Sequence, residues 1–150
     1  MAGRIEAKLA EMGIALPGPG DMPKAAGLYE PHVVDGDLVY VSGQISQGPD
    51  GLVTGKLGES MDVEAGAEAA RLCGIALLTQ VKLACGGDLD RLQRVVKLTG
   101  FVNSAPDFTD QPKVVNGCSG LFIEALGTAG PHARSAVGVA GLPLGVAVEI

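Results

Sequence analysis

The chain contains no tryptophan, and aromatic residues make up only 3% of its 150 positions. A surface that stacks successive nucleic-acid bases needs several aromatic faces, so a platform of that kind is excluded. Positive charge is also short: 11 lysines and arginines stand against 17 aspartates and glutamates, a formal net charge of −6. The basic residues form no cluster, and a general nucleic-acid binder requires a basic footprint. Two histidines, His32 and His132, cannot build a histidine-rich metal centre unaided. The three cysteines, Cys73, Cys85 and Cys118, are odd in number and lack a CxxC spacing, which argues against a disulfide framework and a zinc site. Cys73 and Cys118 fall on helical stretches and read as small core residues. No apolar run reaches the roughly eighteen residues that a membrane span needs. The first residues are charged and helical, unlike a signal peptide, so a reducing cytoplasm is the expected compartment.

What is present is apolar and patterned. Hydrophobic residues make up 47% of the chain, and a mean hydropathy of +0.30 is high for a small monomer. Part of that apolar surface is expected to enter a subunit interface. Residues 4–12 place Ile5, Leu9 and Met12 on one helical stripe, and Leu16-Pro-Gly-Pro-Gly20 then breaks the chain. This segment is expected to pack across the domain or a neighbouring subunit. Alternating residues 32–35 and 38–45 flank Asp35-Gly36, a strong hairpin signal, and a short strand is expected around Leu52–Thr54. A long helix is expected from about Asp62 to Cys85, with Ser60 or Asp62 capping it. A strand over Val95–Val102 and a second helix from about Pro112 to Leu126 follow, the latter capped by Thr109 or Asp110. Val115, Cys118, Phe122 and Leu126 face the core. Gly117 and Gly120 lie inside this second helix, each costing about 1 kcal/mol relative to alanine. Close packing against a neighbour would explain them, and so would room for a ligand beside Asn116. The pattern reads as an α+β fold, a mixed sheet with two helices on one face and a short N-terminal helix. The other face of such a sheet is left bare, and oligomerisation would cover it.

The last nineteen residues carry the most chemistry. Two alternating segments flank Gly141-Leu-Pro-Leu-Gly145 and read as a β-hairpin. Folded about that turn, Arg134 falls opposite Glu149 and Ala136 opposite Ala147, with a valine core on the reverse face. A guanidinium and a carboxylate above small side chains would form a pocket for a small anion. Cross-strand Arg–Glu pairs on a solvent face are also common, contributing about 0.2–1 kcal/mol.

The run Arg134-Ser-Ala-Val-Gly-Val-Ala-Gly-Leu-Pro143, continued by Val148-Glu149-Ile150, resembles the signature of the RidA/YjgF reactive-intermediate deaminase family, once called L-PSP endoribonuclease. Tyr29, the hairpin ending in Ser42-Gly43-Gln44, and Phe101-Val-Asn103 through Asn116 to Ser119 match further family stretches in family order. The resemblance covers residues 29–150; residues 1–28 have no counterpart in short members and point to a longer bacterial subgroup. It implies a chorismate-mutase-like fold, a homotrimer with sites between subunits, and hydrolysis of small imino or enamino acids such as 2-aminoacrylate. Arg134 would hold the substrate carboxylate and Glu149 would activate water. Tyr29, Ser42, Gly43 and Asn116 match ligand-contacting positions. For three of these a plain structural role fits equally well: Tyr29 capping apolar packing, Ser42 satisfying a strand end, Asn116 solvated on its helix. His132 stands where a proline or small residue is usual; it could shuttle protons or be an ordinary surface histidine. Ala136 replaces a frequent cysteine, which excludes covalent thiol catalysis there. The implied enzyme needs no metal or cofactor, binds a small 2-imino or 2-oxo carboxylic acid, and has no nucleic-acid or membrane partner. The competing readings are a non-catalytic trimeric module that binds small carboxylates, and the ribonuclease of the older family name, against which the acidic charge speaks.

Overall fold

The computed structural model describes residues 2–22, 24–25 and 27–150, so positions 1, 23 and 26 of the expected N-terminal segment 1–28 lie outside it. The chain divides into two compact units, one of Met1–Ser42 with Ile75–Gln93 and one of Gly43–Gly74 with Arg94–Ile150.

In the first unit, helix α1 (Arg4–Glu11) buries Ile5 and Leu9 as its periodicity predicts. Its opening amides have no intrahelical acceptor. Asp90 supplies one, its carboxylate accepting from the Arg4 N–H at 2.6 Å and the Ile5 N–H at 3.0 Å. Lys82 pairs with Glu6 at 2.8 Å. The N-terminal segment is therefore tied to residues of its own chain. The amides of Ile5 and Arg4 hold the Asp90 carboxyl below its ordinary range. The hydrogen bond from Lys82, then that from the Gly3 amide, does the same for Glu6. Folded-state values below the unfolded ones mean that this stabilisation is complete above the ordinary carboxylate range and is lost as pH falls beneath it. Protection of the α1 amides, taken relative to their intrinsic exchange rates, is expected to fall selectively in that acid window, and Asp90→Asn should reproduce the loosening at neutral pH. Strands β1 (His32–Asp35) and β2 (Leu38–Val41) form the expected antiparallel hairpin, with Gly36 at φ 59° in the turn. Val33, Val34, Leu38 and Tyr40 on it are each about half exposed.

Helix α2 (Val63–Ala84) runs through both units. Its start is capped by Asp62, whose Oδ1 accepts from the Ala65 amide at 2.8 Å. The hydroxyl of Ser60 instead accepts from the Lys56 amide. In the second unit, β3 (Gln47–Gly48) and β4 (Gly51–Leu52) form a small hairpin. They are followed by β5 (Lys97–Asn103), α3 (Gln111–Leu126), β6 (Ala133–Val139) and β7 (Val148–Glu149). The strand order is β6-β5-β7, with β6 parallel and β7 antiparallel to β5. Leu98 and Val102 are buried, and a Cβ on Gly100 would press into Val115, so this face of β5 lies under α3. The first half of α2 packs there too: Gly74 meets Leu121 and Cys118, and the Cys73 thiol donates to the Val148 carbonyl at 3.5 Å. This is the expected mixed sheet with two helices on one face.

The expected terminal hairpin does not form. Instead of pairing with each other, β6 and β7 take opposite edges of β5, which becomes the central strand. The Gly141–Gly145 segment contains a 3-10 turn with Leu144 left-handed at φ 59°, and it carries the chain past the end of β5 rather than folding it back. Pairing on both edges satisfies the hydrogen-bonding groups of β5 that a two-stranded arrangement would leave open on one side.

Candidate functional site

Arg134 lies level with Leu98 on β5, and Glu149 lies level with Phe101. Side chains alternate along a strand and paired residues share a face, so positions three apart look in opposite directions. Arg134 therefore reaches toward α3, while Glu149 joins Phe101 and Val137 in a cross-strand row on the uncovered face. Ala136 is level with Gly100, not with Ala147. The valine core expected on one face is likewise divided: Val146 and Val148 are buried, whereas Val137 is 45% exposed.

The guanidinium of Arg134 is held from one side. Its Nη1 donates to Asn116 Oδ1 at 2.8 Å and to Ser119 Oγ at 3.1 Å, and Nη2 donates to the Pro112 carbonyl at 3.4 Å. An arginine carries five N–H donors. These contacts occupy three, and no described residue takes the Nε–H or the second Nη2 proton. That pair is the side-on fork suited to a carboxylate. No described carboxylate pairs with Arg134, so its charge is uncompensated within the chain. Two of the residues matched separately to family positions, Arg134 and Asn116, thus lie in contact. Ser119 was missed, although its place one turn after Asn116 puts both on one helical face.

His132 is not a loose surface residue. It is half-buried, with its ring set edge-on to Phe122, the centroids 6.1 Å apart and the planes at 78°. Its Nδ1 lies 2.6 Å from the Gly130 carbonyl, and its Nε2 lies 2.9 Å from Ser119 Oγ.

Glu149 lies on the face of the sheet away from α3. The carboxylate lies over Gly43, where any Cβ would overlap it. Gly43 is exposed, and its amide donates to no described residue. Ser42 donates its hydroxyl to the Glu30 carbonyl at 2.6 Å and its amide to Pro31 at 3.0 Å, closing the mouth of the β1–β2 hairpin. Tyr29 is 52% exposed. Tyr29 and Ser42 belong to the first unit, Arg134 and Glu149 to the second.

The remaining candidates are chemically quiet. Burial pushes the Cys118 thiol up to about 12, and it raises that of Cys73 as well, so neither is a ready nucleophile. Among the described residues no cluster of three or more His, Cys, Asp or Glu could hold a metal ion. No described helix is long and apolar enough to cross a membrane. In the first unit a cleft of about 470 Å³ lies beside α1, walled by Leu9, Ile14 and Leu16. Its charged walls, Glu6 and Lys82, pair with each other.

A sequence model described as "YjgF/chorismate mutase-like, putative endoribonuclease" matches residues 6–148. The chain belongs to the YjgF family. The match begins at residue 6 and so includes most of the N-terminal segment. Protein TCP17 of Trypanosoma cruzi is 46% identical over 151 residues, covering 99% of this chain and 92% of that protein. The crystal structure of Atu1372, a protein of unknown function from Agrobacterium tumefaciens, superposes with a TM-score of 0.87 at 44% identity, covering 97% of this chain and 87% of that one. RidA from an Antarctic Psychrobacter is similar at 31% identity and a TM-score of 0.54, covering 85% of this chain and 87% of that one. YjgF membership agrees with the three-stranded mixed sheet under two helices.

Proposed function

We propose that this protein hydrolyses small reactive enamino and imino acids to 2-oxo acids and ammonia, at a site shared between copies of the chain. The observation that carries this reading is the half-occupied guanidinium of Arg134, anchored by Asn116 and Ser119 and offering a two-donor fork with no internal counter-charge. A carboxylate bound there would hold the substrate by its unreactive end. Protonation of the enamine carbon gives the imine, water adds to the C=N carbon, and ammonia leaves as the C=O bond forms. Glu149 is the carboxylate available to orient that water and accept its proton.

Because Arg134 and Glu149 face opposite sides of one sheet, they meet only if different protomers supply them. The apolar exposure at Phe101 and Val137 on one face, and at Val33, Val34 and Tyr40 on the hairpin, favours such an assembly, for which the family resemblance implies a cyclic homotrimer. Subunit exchange tests this arrangement. Arg134→Ala and Glu149→Gln, each inactive alone, should recover about a quarter of wild-type activity when mixed as random cyclic trimers. A site formed within one protomer would recover none.

Activity is read as ammonia and 2-oxo acid release while a pyridoxal-phosphate dehydratase generates 2-aminoacrylate from serine. The expected result is acceleration that survives a chelator. The divergence of Arg134 and Glu149 within one chain also favours a second reading, a carboxylate-binding module without turnover. Binding of pyruvate with no acceleration of any imino acid would establish that reading instead. Cleavage of RNA, the activity in the family's older name, has no basic surface to support it.

A further inference from the structure

We propose that Ser119 and His132 are positioning residues that aim Arg134 at its anion, an inference that rests on the function proposed above. The hydrogen-bond chain has one consistent direction. The Gly130 carbonyl can only accept, so the His132 Nδ1, 2.6 Å away, carries a proton and donates it. In the neutral ring Nε2 is then an acceptor, and the Ser119 hydroxyl, 2.9 Å away, donates to it. That orientation leaves the Ser119 oxygen lone pairs facing Arg134 Nη1, which can only donate, at 3.1 Å. A main-chain carbonyl at one end and a guanidinium at the other thus define the polarity of the hydroxyl between them.

The setting keeps this arrangement in place. Ser119 is only 7% exposed, so water cannot readily substitute for its partners. His132 is clamped edge-on against Phe122. His132 and Arg134 are two residues apart in extended chain and therefore both point toward α3. Asn116 and Ser119 together occupy both protons of Nη1 and the Pro112 carbonyl takes one of Nη2, which leaves the Nε proton and the second Nη2 proton outward as one flat fork. Without Ser119 the guanidinium keeps its charge but loses one of the three contacts that determine its rotation, the one made by the most buried partner side chain.

The test is calorimetric titration of the assembled protein with pyruvate, together with nitrogen NMR of the His132 ring and the Arg134 Nε–H without ligand. Ser119→Ala and His132→Leu are each expected to weaken pyruvate binding about tenfold, with Arg134 still present. Ser119→Thr keeps the hydroxyl, and His132→Gln places an oxygen acceptor where Nε2 stood, so both should recover most of the affinity. A merely structural role would follow thermal stability, not this donor–acceptor logic. In the wild type the ring should carry its proton on Nδ1, and the Arg134 Nε–H should be sharp and should broaden in Ser119→Ala.

Wild-type affinity in Ser119→Ala overturns the inference, as does a ring protonated on Nε2 or a His132→Gln protein as weak as His132→Leu. If the wild type itself binds no carboxylate, the proposed function fails. The ring tautomer and the Arg134 signal still decide whether the positioning chain exists.

Discussion

Replacing Arg134 with alanine is expected to abolish imino-acid turnover and to weaken carboxylate binding by about 2–5 kcal/mol, roughly thirtyfold or more. The large effect comes from the nature of the contact. A fork of two charge-assisted hydrogen bonds is lost together with the positive charge nearest the anion. Arg134→Lys separates the two contributions, because an ammonium keeps the charge but cannot present the planar fork. Its affinity should fall between wild type and alanine. Fold stability should change little by comparison, since Arg134 sits half-buried on an edge strand and makes no ion pair with any described residue. Titration with pyruvate, run beside thermal unfolding, measures both. An Arg134→Ala protein that binds pyruvate like the wild type would remove the basis for the site.

The second large effect concerns the helix pair. Gly117 and Gly120 look alike in sequence, yet their surroundings predict opposite outcomes. A Cβ on Gly117 would strike the backbone of α2 at Ala67, lying 2.7 Å from its carbonyl carbon and 3.0 Å from its Cα. Main chain inside a helix cannot step aside as a side chain can, so α2 and α3 would have to separate. Overpacking of this kind costs about 1–3 kcal/mol, occasionally more, which outweighs the ~1 kcal/mol that alanine gains in helix propensity. Gly117→Ala should therefore unfold at clearly lower urea concentration than the wild type. A Cβ on Gly120 meets nothing within 4 Å. Gly120→Ala should keep the propensity gain and be more stable by up to ~1 kcal/mol. The same denaturation series decides both. Equal effects of the two substitutions would show that close helix contact is not what Gly117 serves.

Of the two explanations open for these glycines, close packing accounts for Gly117. Gly120 lies exposed beside open space, and no packing contact of the described residues requires it. The sequence pattern could not separate them, because both occupy interior positions of an apolar helix and differ only in what faces them.

The elements themselves were legible because their signals are local. Helical spacing of apolar residues, Asp62 ahead of α2 and Asp35-Gly36 between alternating arms each act within a few residues. The structure reproduces them to within a few positions. The family signature around Arg134 was legible for the same reason, as contiguous chain. The resemblance singled out Asn116 and Arg134 separately; their 2.8 Å hydrogen bond emerged only in the structure. Ser119 and His132 were not joined in sequence because their contact links a helix to the residue before a distant strand.

The sequence alone determined which residues alternate, which helical faces are apolar, the family, and the arginine on which the proposed anion site rests. Tertiary structure decided that β6 and β7 flank β5, so that Arg134 and Glu149 look to opposite faces of the sheet. Alternation encodes which side of a strand is apolar, but it is equally compatible with either neighbour. The choice belongs to non-local pairing, and here the arms do better on the two edges of a buried central strand than against each other.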